Sequence, residues 1–129
     1  MHRGFLKTGF FLGALSVAFG AFGAHALKSL APAGVLNTFE TAVRYQFYHL
    51  FALLLAAVLY KDLNKKWVSA AGWFFIGGMM LFCGSLYLLC LVQAAGIAGY
   101  KWLGAITPFG GVMFIAGWSL LFAAVSKKP

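Results

Sequence analysis

The residues most able to do chemistry in this chain fall within eleven consecutive positions, Phe39 to His49. Wound as a helix at about 100° per residue, Glu40, Arg44, Tyr48, Thr41, Tyr45 and His49 succeed one another across half its circumference, with Gln46 just beyond. Glu40 and Arg44 stand four apart with the acid first, a spacing suited to an ion pair. Tyr45 and His49 share that spacing. The next ten residues, Leu50 to Leu59, offer nothing polar. Ionisable groups beside such a run are expensive in hydrocarbon unless paired, wetted or bound to something.

The other familiar chemistries are missing. His25 and His49 are too far apart for a metal-binding motif, and no Asp or Glu shares the level of His49. No G-x-S-x-G, phosphate-binding loop or dinucleotide fingerprint occurs, so neither catalytic residues nor a cofactor are expected. Gly77-Gly78 lies within an apolar run, where phosphate binding is implausible. Cys83 and Cys90 are seven residues apart, a helical rise of roughly 10 Å that no intrachain disulfide closes. They read as small packing residues.

The elements that must position these groups follow from composition. Hydrophobic residues make up 63% of the 129 and charged residues 9%, and mean hydropathy is +0.90. A soluble domain carries about a quarter charged residues. The net charge of +8 comes in short punctuations between apolar runs, which suits anionic lipid headgroups and not nucleic acid. Four runs can each span the ~30 Å of hydrocarbon that needs about 20 helical residues. They cover approximately residues 5–26, 38–60, 68–92 and 108–125 of a single 1–129 membrane domain. The expected fold is all-α, a four-transmembrane-helix bundle with short connectors and antiparallel neighbours.

Helix-end signals support these spans. Asn37 or Thr38 is placed to cap the second helix with Glu40 in its first turn. Thr107-Pro108 puts a capping hydroxyl before a proline suited to the first position of the fourth. Arg3, Lys7, Lys61, Lys65, Lys66, Lys127 and Lys128 fall on one side, against Lys28, Arg44 and Lys101. That asymmetry predicts cytoplasmic N- and C-termini in a bacterial inner membrane. Ala24-His25-Ala26 imitates a signal-peptide cleavage site, but its apolar run of about 20 residues exceeds an ordinary signal core and reads as a retained span.

Depth then sorts the polar residues. Counting back from Lys61 at 1.5 Å per residue, His49 lies ~18 Å and Arg44 ~25 Å from the cytoplasmic end. His25 reaches the level of Glu40, and Ser85 and Tyr87 about that of Arg44. The candidate site is therefore a polar pocket in the outer half of the bundle, formed by His25, Glu40, Arg44, Tyr45, Gln46, His49, Ser85 and Tyr87. Three uses compete: an internal clasp that fixes helix register, a binding site for a lipid, small amphiphile or small anion anchored by Arg44, and transport or catalysis. The apolar inner half argues against a continuous aqueous pore. Gly9 and Gly13, continued by Ser16, Gly20 and Ala24, form a small-xxx-small row for helix packing or for a homo-oligomer face. Gly77, Gly78, Gly84, Gly110, Gly111 and Gly117 serve the third and fourth helices likewise.

Four segments in order resemble the YgdD family of small bacterial inner-membrane proteins, akin to eukaryotic transmembrane protein 256. They are Gly20-Ala21-Phe22-Gly23-Ala24-His25, Thr41 through His49, Phe82-Cys83-Gly84-Ser85-Leu86-Tyr87, and Thr107-Pro108-Phe109-Gly110-Gly111 with Gly117-Trp118. The resemblance spans nearly the whole chain. It implies a four-helix membrane protein and brings no established activity or catalytic residues.

Overall fold

Backbone polar groups in hydrocarbon must be satisfied within the segment, so long apolar runs become helices. The computed structural model describes residues 1–126, and Lys127 and Lys128 of the charge count lie outside them. Four helices are long and apolar enough to cross a membrane: α1 (Arg3–Leu30), α2 (Ala33–Leu59), α3 (Lys65–Ala94) and α4 (Lys101–Ser126). No strand occurs among the described residues. At 1.5 Å per residue each helix is about 40 Å long, enough to cover the hydrocarbon and reach both interfaces.

The helices overrun the apolar runs, and two expected ends move. α2 begins at Ala33 directly after Pro32, so Asn37 and Thr38 are not its cap. The Thr38 hydroxyl instead donates to the Gly34 carbonyl at 3.0 Å, inside the helix. Gly34 costs a helix only about 1 kcal/mol, too little to end it. α4 begins at Lys101 and carries Pro108 in its interior, so Thr107-Pro108 is not its start. The turn lies earlier. Gly96 at φ +70 terminates α3, with the Gly96 N–H on the Gln93 carbonyl and the Ile97 N–H on that of Val92, a Schellman end. At the other end of α3 the Asn64 side chain accepts from the Trp67 N–H, and at the start of α1 His2 Nδ1 accepts from that of Phe5 at 3.1 Å.

Two helices are interrupted by one π-helical turn each, Gly23–Leu27 in α1 and Met79–Cys83 in α3. The second sits where α3 meets α4. There Gly110 lies so close to Phe82 that a Cβ on it would collide with the Phe82 backbone nitrogen. One and two turns along α4, the Phe114 ring fills the space over Gly78 and Gly117 receives the Phe75 ring. Small residues taking a facing ring let the helices approach, the main source of association in lipid. Gly78, Gly110 and Gly117 are thus occupied by packing within the chain.

The centre of the bundle is sealed. Ala42, Leu53, Ala56, Ala57, Val68, Ala71 and Phe75 have no exposure. α1 packs along α2, and its N-terminal end is fastened by the His2 N–H on the Ala57 carbonyl at 2.8 Å and by the Phe5 ring seated over Gly72. Between α1 and α3 runs an apolar cleft, with Phe19 and Tyr87 lining both its central and its inner parts.

Candidate functional site

The structure does not gather the eight candidate residues into one pocket. His25, in the π-helical turn of α1, is exposed, as are Glu40 and Arg44 on α2. Among the described residues Glu40 and Arg44 form no ion pair with each other or with anything else. The buried polar side chains are Ser16, Gln46, His49 and Ser85. They form three separate groups.

The first ties three helices together. Tyr87 on α3 donates its hydroxyl to Gln46 Oε1 on α2 at 2.7 Å. Gln46 Nε2 donates in turn to the Leu12 carbonyl of α1 at 3.4 Å, which also accepts from the Ser16 hydroxyl at 2.7 Å. These bonds link the helices through Gln46, Tyr87 and the Leu12 carbonyl, and Glu40, Arg44, His25 and His49 take no part in them. Tyr87 also closes one wall of the cleft between α1 and α3, one chamber of which, about 350 Å³, is lined by Phe19, Phe22, Phe39 and Leu91. With Tyr87 and Gln46 bonded to each other, the cleft offers an occupant mainly apolar contact, Thr8 being the further polar side chain along it.

The second group joins α3 to α4. Ser85 donates to the Phe82 carbonyl at 3.0 Å, so the 2.7 Å contact between Ser85 and Thr107 has Thr107 as donor. Thr107 precedes Pro108, whose missing N–H leaves the helix one bond short at this level. Reading Thr107 as a cap conceals its use as a bridge.

His49 is the third. Its Nδ1 lies 2.7 Å from the Tyr45 carbonyl; a carbonyl only accepts, so Nδ1 carries the proton and the neutral ring keeps a bare lone pair on Nε2. The ring lies flat on Phe114, centroids 3.4 Å apart and planes within 7°, with Trp118 edge-on at 6.3 Å. Tyr45 stacks on Phe82 at 4.6 Å beside it. His49 is 5% exposed, and Nε2 has no hydrogen-bond partner among the described residues. Every fully enclosed side-chain nitrogen or oxygen among them is bonded, so Nε2 is not fully enclosed, and the His49 side chain lines a groove. That groove, about 430 Å³, runs between α2 and α4 past Tyr45, Phe82, Pro108, Val112, Ile115 and Trp118. Val112 and Ile115 are exposed on its rim, so it opens sideways toward lipid.

Phe114 is invisible as a site residue in sequence, because an aromatic in an apolar run carries no mark of what it will stack on, and Trp118 is marked only by its place in a quoted segment. Arg44 lies five residues before His49, about 140° around α2, and takes no part in the groove.

The DUF423 family, described as a protein of unknown function, matches residues 19–111. A UPF0382 membrane protein of Staphylococcus aureus is 42% identical over 128 residues, covering 95% of this chain and 98% of its own. The UPF0382 membrane protein YwdK of Bacillus subtilis is 41% identical over 114 residues, 88% of each chain. No solved structure matches. The chain belongs to the DUF423 family of integral membrane proteins.

Proposed function

We propose that this DUF423 membrane protein is a non-enzymatic binding protein of the bacterial cytoplasmic membrane, with its termini cytoplasmic. It takes from the bilayer an apolar molecule bearing one hydrogen-bond donor, such as a long-chain alcohol, into the groove between α2 and α4. The observation that carries this reading is His49 Nε2, an acceptor without a partner on a ring that lines a mainly apolar groove beside Tyr45 and Trp118. Ten residues separate His49 from Leu59, a rise of about 15 Å that puts it close to mid-membrane. At that depth a charged ligand is disfavoured and an unmade hydrogen bond is costly, so a neutral donor on a hydrocarbon body fits best. The sealed centre of the bundle favours binding over conduction of a solute or ion. The four quoted motifs support a place near the YgdD and transmembrane protein 256 proteins, and three of them contribute to this groove, through His49, Phe82 and Trp118.

Protein in lipid nanodiscs should therefore be labelled by a photoreactive long-chain alcohol more strongly than by its methyl ether, which cannot donate. The preference expected from one hydrogen bond is about three- to tenfold. His49→Phe keeps a ring against Phe114 and removes the acceptor, so it should bring the two probes to equal labelling. Equal labelling of the unsubstituted protein would overturn the reading, as would solute flux through it in proteoliposomes.

A further inference from the structure

The face of α2 turned away from the bundle has its own pattern. Arg44, Tyr48, Phe51, Leu55 and Val58 follow one another at intervals of four, three, four and three, the spacing of a heptad seam. All five are exposed along the length of the span, Tyr48 at 55%, Phe51 at 59% and Leu55 at 47%. Glu40, also exposed, stands one turn outward from Arg44.

We propose that two copies of this chain associate in the membrane through this α2 seam, with Arg44 of each chain bonded to Glu40 of the partner subunit. The charges select the occupant. Arg44 lies eleven residues into α2, about 16 Å from its outer end, where facing lipid tails would cost a few kcal/mol. An anionic lipid headgroup descending to Arg44 would meet the Glu40 carboxylate first and be repelled. The chain has only two acidic residues, and the other, Asp62, lies beyond the opposite end of α2. What presents both signs at the right depths is a second copy. A two-fold axis along the membrane normal sets the two α2 helices parallel at equal depth, so each guanidinium need span only the roughly 6 Å rise to the partner's carboxylate, twice over by symmetry. Below the charges, Tyr48, Phe51, Leu55 and Val58 would meet their counterparts as the apolar part of the interface.

The test separates a bond between chains from one within a chain. Arg44→Glu leaves two acids on the seam and Glu40→Arg leaves two bases, so each variant alone should lose self-association by about tenfold or more, as like charges across an interface cost several kcal/mol. Co-expressed with different tags, the two variants should co-purify at the level of the unsubstituted protein, because opposite charges now face each other. Independently, Tyr48→Cys and Phe51→Cys, in a background with Cys83 and Cys90 replaced by Ala, should form an interchain disulfide on oxidation, and Val112→Cys on α4 should not. Co-purification of the mixed pair no better than of either variant alone overturns the proposal and indicates a pair within one chain or a lipid contact. Absence of the Tyr48 and Phe51 cross-links in the otherwise unsubstituted seam overturns it too, whether or not the charge variants fold.

Discussion

Gly110→Ala is expected to destabilise the bundle by about 3 kcal/mol, the upper end of what overpacking costs. The added Cβ would land on the Phe82 backbone nitrogen and within 2.8 Å of its Cα. A crowded side chain can change rotamer; a backbone can yield only by moving its helix. Here that helix is the π-helical turn of α3, itself held by the Ser85–Thr107 bridge. The α3–α4 crossing must therefore open, and Phe114, which fills the space over Gly78, loses its seat together with the His49 ring stacked on it. The neighbouring glycine gives the control. A Cβ on Gly111 would meet the Phe82 ring at 3.9 Å, ordinary contact, and one on Gly84 would meet nothing within 4 Å. Thermal unfolding in detergent should show Gly110→Ala melting many degrees below the parent and Gly111→Ala and Gly84→Ala close to it. Equal melting of Gly110→Ala and Gly111→Ala would mean that the helices do not cross there.

That contrast marks where the amino-acid pattern stops being legible. Four spans can be read because hydrocarbon leaves the backbone almost no alternative to a helix. Their ends at Thr38 and Pro108 escape, because capping rules describe helices ending in water, whereas a proline inside a membrane helix is tolerated when neighbours compensate for it. The polar residues of α2 stand out by type, and the level of His49 follows from counting along the helix. Their partners do not follow. A π-helical turn amounts to one inserted residue, which rotates everything beyond it by about 100°. Residues 79–83 of α3 contain such a turn, and no pattern in Met79-Met80-Leu81-Phe82-Cys83 announces it. Tyr87 and Ser85, on the far side of it, reach Gln46 and Thr107 only after that rotation. Arg44 and Glu40 look like each other's partners because i,i+4 spacing favours pairing on helix surfaces; spacing alone is silent on whether the face they share points at the bundle or away from it.

Gln46→Leu is the second substitution with a large expected effect, because Gln46 bonds from α2 to both α1 and α3. Leu matches Gln in size and removes both hydrogen bonds. The Leu12 carbonyl keeps the Ser16 hydroxyl, so the loss falls mainly on Tyr87, whose half-buried hydroxyl is left beside an apolar cleft. An unmade hydrogen bond of this kind costs about 1–3 kcal/mol, while side-chain hydrogen bonds measured in membrane proteins reach only about 1.7. A loss of about 1–2 kcal/mol satisfies both bounds. If the cost is the unpaired hydroxyl, Tyr87→Phe on top of Gln46→Leu should restore part of it, so the double variant is more stable than Gln46→Leu alone. If Gln46 acts by packing, the two losses should add instead. The site of damage is equally specific. α1 meets α3 through Phe5 at one end and, further along, through Phe19 edge-on against Tyr87 at 4.8 Å, a ring that Gln46 holds in place. The outer half of α1 should therefore loosen from the bundle. With Cys83 and Cys90 replaced by Ala, thiol labelling of a cysteine placed at the buried Leu27 would then rise in Gln46→Leu, while that of one placed at Val112, on the far side of the bundle, stays unchanged. The comparison distinguishes a clasp that sets where α1 lies from a bond that merely adds to overall stability.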